Sequence, residues 1–176
     1  MKEYYINTSE LKSYCKKLCV GDKVYLSGTV YTARDAAHKR IFEYMNDGKP
    51  LPFDIENSVI YYAGPTPTPQ GMAIGSCGPT TSSRMDTYAP QLYNIGLTAT
   101  VGKGERNQAV IDAIINNNAV YLCAIGGAGA LAAQSITSCE VIAFDDLGCE
   151  SIKKLMFNNF PLIVGIDSKG GSIFKR

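Results

Sequence analysis

Apolar positions along the chain switch between two spacings. Leu11, Tyr14, Cys15 and Leu18 recur three and four residues apart, the period of one helix face, and Thr8 or Ser9 precedes them as a cap; a helix is expected over 9–19, ended by Gly21-Asp22. Residues 23–32 (KVYLSGTVYT) are dense in β-branched and aromatic side chains and read as a strand, with Gly28 as a bulge. Residues 35–45 return to helical spacing through Ile41, Phe42 and Met45, with Asp35 as a cap, and 46–50 (NDGKP) form a turn. The short apolar run 58–63 (SVIYYA) reads as a buried strand.

The segment 64–83 (GPTPTPQGMAIGSCGPTTSS) breaks the pattern. Four prolines and four glycines in twenty residues exclude a helix or strand interior. A loop of that length in a compact domain points to function. Beyond it, 84–94 is expected to be a helix interrupted by Pro90, followed by a strand at 97–101, a helix at 106–116 and a strand at 119–125. A helical turn at 130–133, a strand at 136–143, a helix at 150–157 and a strand at 161–167 complete the reading. Strands alternating with helices predict an α/β fold with parallel pairs, and the helix-poor first half predicts a mixed sheet. A chain of 176 residues is expected to be a single domain over 1–176.

Charge and composition narrow the function. The net charge is +1 with no basic stripe, which argues against nucleic acid. The N-terminus lacks the apolar core of a signal peptide and no run of 18 apolar residues occurs, so a cytoplasmic protein without a membrane span is expected. The six cysteines lack closely spaced ligand pairs: Cys15 and Cys19 would share a helix face, and His38 is the single histidine, so neither a structural zinc site nor a complete iron–sulfur site is expected in this chain.

Four local groups carry candidate chemistry. Arg34, in TARDAAHKR, lies where a strand meets a helix, and a planar guanidinium there can grip a carboxylate with two hydrogen bonds. GSCGPTTSSRMD, residues 75–86, gathers Thr80, Thr81, Ser82 and Ser83 before an expected helix start that favours anions, with Arg84 one turn on. In VGKGER, glycines flank Lys103 and allow close backbone approach to a ligand. IGGAGALA, residues 125–132, follows an expected strand like a relaxed dinucleotide fingerprint, with Glu140 and Asp145 as acidic candidates. Each also has a plain reading as a capped helix or a glycine turn. Three cations at element ends beside a hydroxyl-rich loop suit a small di-acid.

TARDAAHKR, YYAGPTPTPQG, GSCGPTTSSRMD, VGKGER and CAIGGAGALAA, in this order, resemble the C-terminal domain or separate β subunit of class I fumarases and L(+)-tartrate dehydratases. The resemblance covers residues 24–174; Cys77 departs from it, because a small residue such as alanine is commoner there. It implies a swivelling β/β/α domain, a mixed sheet flanked by helices. It also implies reversible addition of water to a dicarboxylate, fumarate to L-malate, or alternatively dehydration of L(+)-tartrate. The family's 4Fe–4S cluster, a Lewis acid toward the leaving hydroxide, is held by three cysteines of the other domain. This chain would thus contribute no metal ligand and would share its site with a cluster-bearing α subunit, as a heterodimer or a two-plus-two assembly.

Residue by residue, the resemblance makes Arg34, Arg84 and Lys103 ligands of the substrate carboxylates and Thr80 the base that removes the C3 proton of malate. An alcohol is a weak base, so Thr80 needs a strongly cationic setting, part of which Arg84 and Lys103 can supply. Asp35 and His38 are expected to stand behind Arg34 and orient it. Two readings from other classes stay open: a non-catalytic dinucleotide-binding module built on Gly127 and Gly129, and a purely structural interaction domain.

Overall fold

The computed structural model describes residues 1–175. Strands β1 (Glu3–Asn7), β2 (Lys23–Thr32), β3 (Val59–Tyr61), β4 (Ala99–Gly102) and β5 (Val120–Cys123) run parallel to one another, in chain order. The antiparallel strands β6 (Ile136–Ala143) and β7 (Ile152–Ile166) complete a seven-stranded mixed sheet among the described residues, ordered β1-β2-β3-β4-β5-β7-β6. Because β2 also pairs with β7, strands β2, β3, β4, β5 and β7 close into a ring.

Each face of the sheet carries its own core. Helices α2 (Asp35–Asn46), α3 (Ala89–Asn94) and α4 (Gln108–Asn116) cover one face, burying Ala37, Ile41, Leu92, Tyr93, Val110 and Ile114 against Ile60, Tyr62 and Tyr121. The other face packs Val24, Leu26, Val59, Val101 and Leu122 against Leu155, Phe157, Phe160 and Leu162 of β7, and against Leu11, Cys15 and Leu18 around the short helix α1 (Leu11–Tyr14). Each fully buried Leu, Ile, Val or Phe contributes about 1.5–3 kcal/mol. Helix α4 starts where Asn107 Oδ1 accepts a hydrogen bond from the Val110 amide at 3.0 Å.

The chain departs from the sequence reading in four places. Residues 150–157 form a strand, not a helix: burial alternates along β7 (Ile152, Leu155, Phe157, then Phe160, Leu162, Val164), with the phase shifted at Asn158-Asn159. That shift faces the expected bulge at Gly28, whose φ of +109° and lack of room beside Thr8 Oγ1 require glycine. Near the N-terminus, residues 3–7 form an edge strand that the reading missed. Helix α1 is a single turn with Glu10 at its cap position, so Cys15 is buried and Cys19 exposed rather than both on one helix face. Finally, Pro90 lies in the first turn of α3, and the expected helix 84–94 is split into a 3-10 turn, Ser82–Met85, and α3.

Candidate functional site

The loops that leave the C-terminal ends of β2, β3, β4 and β5 converge, the usual location of ligand sites in parallel sheets. Arg34 follows β2 and occupies the N-cap position of α2; Asp35 is the first residue of that helix and makes no capping bond. The long loop after β3 is held at both ends: Ala63 bridges Pro79, the Thr80 amide donates to the Tyr62 carbonyl at 2.7 Å, and Tyr61 Oη donates to the Cys77 carbonyl at 2.7 Å. Lys103 follows β4, forms a parallel bridge with Thr81 and accepts the Ser82 amide on its carbonyl at 2.9 Å. The amides of Thr80 and Ser82 are thus engaged within the chain, and Ser82–Met85 is only a 3-10 turn. The helix start expected there is only this short turn, with two of its leading amides already engaged.

The glycine run after β5 has a packing role. A Cβ on Gly126 would lie 3.2 Å from Lys103 Cδ. Gly129 sits against Ser76 and Gly78, where no side chain fits, and its carbonyl accepts the Cys77 amide at 3.0 Å. The helix it opens, α5 (Gly129–Ala133), has five residues. These close approaches account for Gly126 and Gly129 without a pyrophosphate.

The charges are arranged unevenly. Arg34 Nε lies 3.2 Å from Glu150 Oε1 as a half-buried ion pair without an aligned hydrogen bond. Arg84 Nε donates to Asp35 Oδ1 at 2.9 Å. Asp35 therefore holds Arg84, while Arg34 is held by Glu150. No carboxylate among the described residues lies within 4.0 Å of the Lys103 ammonium, and the Thr80 hydroxyl makes no hydrogen bond to them.

A sequence model of the family described as "Fumarase C-terminus" matches residues 1–176. The chain belongs to this fumarase C-terminal family. It is 43% identical over 159 residues to fumarate hydratase 2 of Leishmania major, covering 89% of this chain and 28% of that protein. It is 40% identical over 169 residues to the aerobic class I fumarate hydratase of Escherichia coli K12, covering 95% and 31%. A Methanocaldococcus jannaschii protein provisionally named L(+)-tartrate dehydratase subunit beta is 41% identical over 180 residues, covering 99% of this chain and 92% of its own length. The chain thus spans about a third of the fumarate hydratases and nearly all of the β subunit.

Beneath the fumarase C-terminal loops lies a buried network that the sequence reading did not assign, although both of its charged members fall within the quoted motifs. Arg106, with a fully buried side chain, donates from Nε to Asp86 Oδ1 at 2.6 Å, from Nη1 to Thr100 Oγ1 at 3.0 Å and from Nη2 to Tyr62 Oη at 3.3 Å. Burial works against its charge, and Tyr62, Tyr93 and Asp86 outweigh that and raise its pKa. Asp86 also accepts the Asn107 amide at 2.7 Å. A buried arginine has no periodic signature in sequence. Tyr121 Oη, in turn, joins Ser82 Oγ and the Gly104 carbonyl, each at 2.9 Å, and so ties the loops after β3 and β4 together from below.

His38 is buried behind Arg34. Its Nδ1 lies 2.8 Å from the Arg34 carbonyl, which can only accept, so Nδ1 carries the proton; Nε2 faces Tyr62 and Tyr88 without a partner among the described residues. Burial lowers its pKa from 6.5 to about 4, so the ring is neutral at pH 7. The folded value lies below the unfolded one, so this contribution is complete above pH 6.5 and is lost as pH falls through 4. A shift from 6.5 to about 4 corresponds to roughly 3 kcal/mol. Urea unfolding midpoints are expected to drop between those pH values, and His38→Gln should flatten that part of the profile. An unchanged slope in the variant would remove His38 as its cause.

No group of three or more His, Cys, Asp or Glu side chains among the described residues is arranged to hold a metal ion. Burial pushes the Cys15 thiol up to about 11 and the Cys77 thiol up to about 12, which keeps both protonated and unsuited to ligation at neutral pH. Among the described residues the donors are not grouped as an iron–sulfur cluster requires. Among the described residues no helix is long and apolar enough to cross a membrane.

Proposed function

We propose that the chain is the β subunit of an iron–sulfur hydro-lyase that reversibly hydrates fumarate to L-malate, with an active site completed by a cluster-bearing α subunit. The observation that carries this reading is the placement of Arg34, Arg84, Lys103 and Thr80 on the loops after β2, β3 and β4, with no carboxylate among the described residues within 4.0 Å of the Lys103 ammonium. Family membership supports it, as do the relatives' names, fumarate hydratase and L(+)-tartrate dehydratase subunit beta.

In this reading Arg34 and Arg84 keep their terminal nitrogens for the two ends of the di-acid, and Lys103 adds a point charge to one of them. In the malate-to-fumarate direction Thr80 Oγ takes the proton from C3 while hydroxide leaves C2. The neighbouring cations favour an ionised alcohol, and the fixed backbone of 76–82 holds Oγ in place. The cluster would reside on the α subunit, a reading supported by the lack, among the described residues, of three or more His, Cys, Asp or Glu side chains grouped to hold a metal ion. The chain acts as one unit over 1–176 in the cytoplasm, and swivels against its partner to admit substrate.

L(+)-tartrate is the second reading. It is favoured by the M. jannaschii relative, a separate β subunit that this chain matches over 92% of that protein's length. Anaerobic co-expression with a cluster-bearing α subunit, followed by fumarate hydration and L-tartrate dehydration assays, decides between them. Activity that requires both chains and vanishes in oxygen is expected, and the faster substrate names the enzyme. A cluster-loaded complex inactive on both di-acids would overturn the proposed reaction. Saturable NAD binding by the chain would instead support a dinucleotide module.

A further inference from the structure

The arginines expected to bind the di-acid are not held as the sequence suggests, and the way each is held points to a residue with no assigned role. Glu150 ends the 3-10 turn Asp145–Glu150, more than a hundred residues beyond Arg34 in the chain. The turn is anchored independently of Glu150. Arg40 donates to both carboxylate oxygens of Asp146 at 2.7 and 2.9 Å. The Lys153 ammonium donates to the carbonyls of Gly148, Cys149 and Ser151 at 3.1, 3.2 and 3.3 Å, and to Ser151 Oγ at 2.7 Å. Thr32 Oγ1 donates to the Ser151 carbonyl at 3.3 Å and accepts the Lys153 amide at 3.0 Å. A Cβ on Gly64 would meet Arg34 Nη1 at 3.0 Å and the Cys149 carbonyl at 3.1 Å, so the arginine and the turn close on the same glycine.

This scaffold brings the Glu150 carboxylate to the Nε edge of Arg34, at 3.2 Å, with side-chain exposures of 23% and 22%. Asp35 does the same to Arg84 at 2.9 Å. Asp35 takes the Nε edge of Arg84 with a hydrogen bond, Glu150 faces that of Arg34 as an ion pair without an aligned one, and neither carboxylate engages the outer nitrogens. We propose that Glu150 is a positioning residue for di-acid binding. It steers the outer nitrogens of Arg34 toward one substrate carboxylate, as Asp35 steers those of Arg84 toward the other. The inference rests on the proposed hydro-lyase reading and deepens it by naming what orients the two grips.

A guanidinium free to rotate would still attract the di-acid but would seldom present both nitrogens at once, and the loss appears mainly in binding. The test uses the assembled two-chain enzyme in three forms: wild type, Glu150→Ala and Glu150→Gln. Succinate, a non-reacting four-carbon di-acid, serves as a calorimetric probe beside fumarate kinetics, and melting temperature and iron content are measured on each form. For Glu150→Ala, kcat/KM is expected to fall about 10- to 100-fold, most of it in KM. Succinate affinity should fall in parallel, with melting temperature and iron content unchanged. Glu150→Gln, which keeps the size but removes the charge of an ion pair that has no aligned hydrogen bond, should recover little of the succinate affinity.

If Glu150→Ala retains KM and succinate affinity within twofold, the inference is wrong. A fall in kcat accompanied by a lowered melting temperature, with KM unchanged, would also overturn it and make the pair structural. A wild-type complex that neither turns over fumarate nor binds succinate would sink the proposed function, and this inference with it.

Discussion

Thr80→Ala in the assembled enzyme is expected to lower kcat by about 10²–10⁴-fold, the usual contribution of a positioned proton acceptor. KM should change little, because the proposed function assigns the carboxylates to Arg34, Arg84 and Lys103 rather than to the hydroxyl. The substitution leaves the loop intact: the bond fixing this residue runs from its backbone amide to the Tyr62 carbonyl at 2.7 Å. Thr81 is the internal control. Its side chain is exposed, and its backbone, not its hydroxyl, forms the bridge to Lys103, so Thr81→Ala should keep near-normal turnover. Steady-state kinetics of both variants on fumarate and on malate check the assignment. Near-normal kcat with a raised KM in Thr80→Ala would reduce Thr80 to a substrate contact.

The largest stability effect is expected at Arg106. Arg106→Met removes a guanidinium whose side chain is fully buried and strands the Asp86 carboxylate, itself nearly buried, beneath the site. Breaking such a pair from one side costs about 3–5 kcal/mol. For a chain of this size the melting temperature should fall by about 10 °C. Pairing Arg106→Met with Asp86→Leu should recover only part of the loss, because the Asn107 amide then loses its acceptor at 2.7 Å. Thermal unfolding of the single and double variants measures both quantities. A fall of less than about 3 °C in the single variant would show that the network relaxes and contributes little.

Much of the architecture was legible in the sequence because period and punctuation agree locally. Strand β2 with its bulge at Gly28, helix α2 and strand β6 follow from side-chain spacing and one glycine. The misread segment 150–157 shows the limit of such reasoning. Ile152, Leu155, Met156 and Phe157 fit helical spacing over eight residues, and only continued alternation past the irregularity at Asn158-Asn159 reveals the strand. The site was legible in a different sense. Arg34, Thr80, Arg84 and Lys103 stood out as polar groups at element ends and through the family motifs, and the structure places them on the loops after β2, β3 and β4. Their partners did not stand out. Glu150 reaches Arg34, and Asp35 turns to Arg84, through tertiary placement that no local pattern encodes.

Strand β7 bears on how the chain reaches this state. The parallel strands can be laid down one crossover at a time, but β7 is the antiparallel partner of β2, β5 and β6, and it meets β2 at a sequence separation of 121 between Thr32 and Lys153. Loops of that length delay the contacts they close, so slow folding of high contact order is expected. On the ribosome the edge of β2 that β7 covers waits with its backbone N–H and C=O groups unpaired until β7 has emerged, and a nascent chain in that condition is a natural client for chaperones.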